Sequence, residues 1–166
     1  AVSAERITFV RTNYTFSYNT YKMKDTILAI SGKPGLYRLV SQGRNMLIVE
    51  SVDAARKRFP AGVRDRVTSL NDVSMYTDEE DKPLMEVFEA IKQKENGAAV
   101  SLDTKHATSA ELFDYLGEVL PNFDRDRVYP TDIKKLIQWY NILVAAGYTD
   151  FADAPAEAEE VAEENN

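Results

Sequence analysis

Cysteine is absent from the 166 residues, and histidine and tryptophan occur once each. Without thiols there is no disulfide framework, no thiolate metal site and no cysteine nucleophile, and a structural zinc site would have to rest on carboxylates. Long apolar runs are also missing: none approaches the ~20 residues of a membrane-spanning helix, and the N-terminus has no continuous apolar stretch of the signal-peptide kind. These absences predict a cytoplasmic protein with no membrane contact. No phosphate loop, calcium loop or recognisable nucleophile–base spacing is present either, which predicts a non-enzyme with no cofactor and no metal. The single histidine, His106, stands beside Lys105 in a loosely specified segment and reads as a solvated linker residue.

What is present is a globular composition, 44% hydrophobic, with an uneven charge plan under a net charge of −7. Residues 23–77 carry nine Lys/Arg against five acids, residues 78–151 eight against fifteen, and residues 152–166 six acids and no base. The basic part is the part whose hydrophobic pattern is strand-like.

That pattern centres on Ile27 to Ser51, where two turn signals divide three short apolar runs into a β-meander. Gly32-Lys33-Pro34-Gly35 suits a type II turn with Pro second and Gly third; Gln42-Gly43-Arg44-Asn45 suits a hairpin loop. Beyond them, Ala54 to Pro60 reads as a loop or short edge strand in which Pro60 stops regular pairing. Arg66 to Leu70 and Val73 to Thr77 read as two further strands around Asn71-Asp72. From Thr77 the period becomes helical. Thr77-Asp78-Glu79-Glu80 and Thr108-Ser109-Ala110-Glu111 have the form of capping boxes, Asn96-Gly97 and Pro121 act as stops, and a third helix starts with Thr131 as N-cap and ends at Gly147. Its apolar stripe is Ile133, Leu136, Ile137, Tyr140, Leu143 and Val144, with Trp139 to one side. The predicted fold is α+β: a small SH3-like β-barrel domain over 23–77, then a three-helix domain over 78–151. Residues 1–22 read as an extension upstream of a natural start at Met23, or as an added edge strand. Residues 152–166 have too little to bury and read as a disordered acidic tail.

Two runs carry a likeness to a known family. Ile30-Ser31-Gly32-Lys33-Pro34-Gly35-Leu36-Tyr37 with Leu39-Val40-Ser41-Gln42-Gly43 is the first. Leu120 to Tyr129 (LPNFDRDRVY), followed by Asp132-Ile133-Lys134-Lys135-Leu136, is the second. Through them the chain resembles, from about Met23 to Phe151, a family of uncharacterised two-domain proteins from Bacteroides-type bacteria. The resemblance implies a small N-terminal β domain followed by a helical domain, and brings no activity with it. Members of that family start near Met23, so residues 1–22 depart from the pattern.

The set with functional promise is Lys33, Arg38, Arg44, Arg56, Lys57, Arg58, Arg64 and Arg66, with Tyr37 and Phe59 nearby. Gathered on one β surface, these cations would neutralise phosphates while the aromatics stack on unpaired bases; scattered, they are ordinary barrel surface charge with Phe59 in the core. Lys33 projects from a hairpin tip where a phosphate can reach it. In Asp124-Arg125-Asp126-Arg127 the alternating signs predict either surface ion pairs or an arginine, Arg125 or Arg127, that pins the helical part onto the β part. Asp78-Glu79-Glu80-Asp81 lacks calcium-loop spacing and reads as a helix start. The function predicted is a non-enzymatic, regulatory binding module whose basic β face meets RNA or DNA. The alternative is a protein-interaction adaptor that docks a partner through a strand edge or the Trp139 side of the last helix.

Overall fold

The computed structural model describes residues 25–62 and 64–151. The N-terminal extension and the acidic tail, on which the sequence made two of its predictions, lie outside the described residues.

The meander forms as its turn signals require. Strands β1 (Ile27–Ile30), β2 (Tyr37–Gln42) and β3 (Met46–Ser51) pair antiparallel in order, with one irregularity in β2 between Leu39 and Ser41. The turn after β1 closes earlier than predicted, over residues 30–33 and not on Pro34-Gly35: the Lys33 N–H donates to the Ile30 carbonyl at 3.0 Å, with Gly32 at φ 82°. Gly35 is also in the left-handed region, at φ 84°.

Pro60 does not stop pairing. It sits inside β4 (Arg58–Gly62), opposite Ile48 of β3. A proline is tolerated there because β4 is an edge strand among the described residues, so the missing N–H costs no ladder bond within the sheet they form. On the other side of the sheet β5 (Val67–Ser69) pairs with β1, giving the order β4-β3-β2-β1-β5. The predicted strand at 73–77 leaves this sheet: after a 3-10 turn at Leu70–Asp72, β6 (Ser74–Met75) pairs with β7 (Lys82–Pro83).

That small hairpin also moves the first helix. The Leu84 N–H donates to the Val73 carbonyl at 2.8 Å, holding the chain extended through Pro83, so α1 (Leu84–Lys94) begins after Pro83 rather than at Thr77. The Thr77 hydroxyl instead accepts from Glu79 N–H and donates to the Glu80 carbonyl, closing a local turn. Helix α2 (Ser109–Val119) does have its capping box, with Thr108 and Glu111 bonded reciprocally at 3.1 and 2.9 Å. Helix α3 (Pro130–Ala145) is capped by Tyr129, whose N–H donates to Asp132, with Pro130 at its first position; Thr131 lies in the first turn, not at the cap.

The architecture is therefore mixed α+β, a five-stranded antiparallel sheet with three helices. Every residue of β1 is buried because the strand is covered on both faces. One face gives Ile27 and Ala29 to the larger core, shared with Leu84, Phe88, Leu112, Leu136, Tyr140 and others from the helices. The other gives Leu28 and Ile30 to a smaller cluster with Tyr37, Val49 and Ala61. Phe88, Tyr140 and Phe151 meet ring to ring within 6.1 Å. Each such ring is worth about 1.5–3 kcal/mol by burial alone, so this trio anchors the helices on one another. The strand ladder ends at β4 and β5, which are not paired with each other among the described residues.

Candidate anion-binding site

The predicted basic set is spread over the sheet. In the row where β1, β2, β3 and β4 align, Ile27, Arg38, Glu50 and Arg58 face the same side. Arg38 Nη2 donates to Glu50 Oε1 at 2.8 Å and Arg58 Nε to Oε2 at 3.1 Å, with Glu50 only 8% exposed. Hydrogen bonds from Arg38, and then from Arg58, hold the Glu50 carboxyl below the ordinary carboxylate range. Arg44 is in the β2–β3 hairpin, at the opposite end of the sheet from the β1–β2 turn with Lys33 and the β3–β4 loop with Arg56 and Lys57. Arg64 and Arg66 are exposed in the connection from β4 to β5, where the Arg66 carbonyl accepts from the Ser31 N–H at 2.9 Å.

Tyr37 is buried. Its hydroxyl donates to the Pro34 carbonyl at 2.8 Å, and its ring meets Phe59 edge-on at 5.2 Å, so no face is open to a base. Burial, with Asp53 second, pushes its phenol upward. The Lys33 ammonium lies 5.1 Å from the Phe59 ring centre.

Of the two arginines proposed to join the halves, Arg127 contacts the segment after β6, which lies outside the five-stranded sheet. It pairs with Asp124 at 2.7 Å, covers the Tyr76 ring at 4.1 Å and reaches the Thr77 carbonyl at 3.5 Å, tying the α2–α3 connector to the segment that follows β6. Arg125 stacks on neighbouring Phe123 at 4.5 Å. His106 is exposed and bonds to Asp103 at 2.7 Å, which lowers the pKa of that carboxyl. Among the described residues no group of three His, Asp or Glu is placed to hold a metal ion, and no helix is long and apolar enough to cross a membrane.

What the topology does assemble is a pocket of about 370 Å³ between the β1–β2 turn and the first half of α3. The turn (residues 31–35) forms one wall; Thr131, Lys134, Lys135 and Gln138 form the other; Ala29, Ile30 and Trp139 complete it. Among the described residues no carboxylate lines it. Lys134 and Lys135 are half-buried and enter no ion pair among the described residues. Trp139 is 3% exposed, so the side of α3 predicted as a docking face is instead an inner wall. Helical side chains lean toward the N-terminus, which carries both lysines toward Thr131 one turn earlier. The volume is within the usual range for small-ligand sites, about 300–1,000 Å³.

Of the pocket's cations the sequence singled out Lys33 alone. The legible signal for the others was the polar spacing of Thr131, Lys134, Lys135 and Gln138 on α3, complementary to its apolar stripe. The partner wall, about a hundred residues away in sequence, carries no such signal.

Comparison with known proteins accords with this architecture. A model for a domain of unknown function (DUF5606) matches residues 25–70, and one for a second domain of unknown function (DUF6852) matches residues 73–143. No curated protein matches the chain. A solution NMR structure of a Bacteroides vulgatus protein, a structural genomics target, is 64% identical, covers 79% of this chain and 92% of its own, and superimposes with a TM-score of 0.66. At that identity and coverage the chain belongs to the Bacteroides-type family of uncharacterised proteins in which these two domains of unknown function follow one another.

Proposed function

We propose that this protein is a non-enzymatic cytoplasmic binding module for single-stranded nucleic acid. Contact is made at the turn end of the sheet and the first half of α3, not across the sheet face. One observation carries the reading: Lys33, Lys134 and Lys135 line a pocket that, among the described residues, no carboxylate lines. The exposed Arg56 and Lys57 lie at the same end of the sheet and extend the positive potential. In this reading the sheet is an SH3-like half-open barrel. The small cluster to which all five strands contribute, with Leu39, Leu47, Phe59 and Val67 at its margin, supports that description.

Binding of a fluorescent single-stranded oligonucleotide across a salt series tests it. Three lysines at about −0.7 per neutralised phosphate give a log-log slope of about −2. A flat response would overturn the reading and favour a protein partner. For that second reading the supporting observation is the outer edge of β4, which is unpaired among the described residues and beside which Met46 is 44% exposed.

A further inference from the structure

We infer that the pocket between the β1–β2 turn and α3 takes a phosphomonoester dianion, the terminal phosphate of an oligonucleotide or of a free mononucleotide, in preference to an internal phosphodiester. The inference deepens the nucleic-acid reading and rests on it for the class of ligand.

Three features of the site carry it. First, the cavity is walled: the turn stands opposite the helix, and Ala29, Ile30 and the indole of Trp139 are apolar lining. A two-walled pocket of about 370 Å³ is sized for a single nucleotide or the end of a chain. Second, two adjacent lysines with no ion-pair partner among the described residues face one volume. A terminal phosphate brings close to two negative charges and three acceptor oxygens near neutral pH, a diester only one charge, so the attraction to this pair is roughly doubled.

Third, the opposing turn exposes its backbone. Gly32 and Gly35 both have positive φ, and a Cβ at either would meet nothing within 4 Å. Their N–H groups make no hydrogen bond among the described residues. Gly32 and Gly35 line the same pocket as Lys134 and Lys135, so unbonded amides on the turn and ammonium groups on the helix belong to the walls of one site.

The test uses the full chain, with binding read by calorimetry and by amide and indole NMR shifts. The probes are a short oligonucleotide with a 5′-phosphate, the same strand with a 5′-hydroxyl, the same strand with a 3′-phosphate, adenosine monophosphate and inorganic phosphate. A phosphorylated end is expected to bind about tenfold more tightly than the hydroxyl end. It should shift the amides of Gly32 and Gly35 and the Trp139 indole. The preference should vanish in Lys134→Ala/Lys135→Ala, whose unchanged melting temperature reports an intact fold. Arg44→Ala, at the far end of the sheet, should keep the preference. If phosphorylated and hydroxyl strands bind equally and both need the two lysines, the terminal-phosphate inference falls while the nucleic-acid reading stands. Mononucleotide binding without oligonucleotide binding would leave the pocket and remove the nucleic acid. If no probe moves the pocket resonances, both fall.

Discussion

Two pairs of cations in this molecule, one on the sheet and one on α3, differ in one respect. In the sheet, Arg38 and Arg58 flank Glu50 and share its two oxygens at 2.8 and 3.1 Å. On α3, Lys134 and Lys135 line a cavity that no carboxylate lines among the described residues. Seen from outside, the first is a row in which one carboxylate offsets one of the two charges and weakens the field left to attract an anion; the second keeps both charges beside a pocket lined in part by apolar residues. Basic residues therefore locate a binding surface only once their counter-charges are placed. The sheet supplies its own through cross-strand register, which puts Glu50 opposite both arginines.

The sharpest way to break this comparison is to delete each pair in turn. Lys134→Ala/Lys135→Ala should weaken single-stranded oligonucleotide binding about a hundredfold at low salt, taking about tenfold per charge-assisted contact. The fold should persist, since alanine is the best helix former. Arg38→Ala/Arg58→Ala should leave the affinity within about twofold, because both guanidinium groups are engaged by Glu50 and neither lines the pocket. It should, however, lower the melting temperature by leaving the Glu50 carboxylate without its partners. Equal losses of affinity in both double variants would erase the distinction.

A smaller effect in the opposite sense is expected from Glu50→Gln, which removes the counter-charge and leaves the arginines. Oligonucleotide affinity should rise by about threefold as the row regains external field. Stability should show a matching signature in acid. The folded-state pKa of Glu50 is lowered, so its contribution is fully present above the unfolded value of 4.5 and is lost as pH falls through the lower folded value. Wild-type and Glu50→Gln melting temperatures should therefore differ most above pH 4.5 and converge below it. A constant difference across that range would mean that Glu50 acts by packing and not by charge.

How far the fold could be read from sequence depends on whether a signal was local. The meander, the Thr108–Glu111 capping box and the Asn96-Gly97 stop are set within a few residues, and each forms where its pattern stands. Thr77–Glu80 has the same pattern as the true box yet caps nothing, because the pairing of β6 with β7 overrides it. Pro60 was misread for a similar reason: its effect depends on whether its strand is an edge, and that follows only from the strand order. The site obeys the same division. Lys33 was visible as a turn residue, whereas its association with Lys134, Lys135 and Trp139 exists only once α3 is laid against the turn.

The finest test of the comparison lies in the glycines, where sequence alone would rank all turns alike. Gly32 has φ 82°, so Gly32→Ala should cost about 1 kcal/mol of stability through backbone strain alone, a Cβ there meeting nothing within 4 Å. Gly43, in the hairpin at the Arg44 end, is not in the left-handed region, and a Cβ would make ordinary contact with Met46 at 3.6–3.7 Å. Gly43→Ala should therefore be nearly neutral for stability and without effect on oligonucleotide binding. Gly32→Ala should also weaken binding severalfold, because relieving the strain moves one wall of the pocket away from the lysines on the other. If both variants bind as wild type does while Gly32→Ala is destabilised, the turn is a structural corner only, and the lysines of α3 would be acting without the opposing wall.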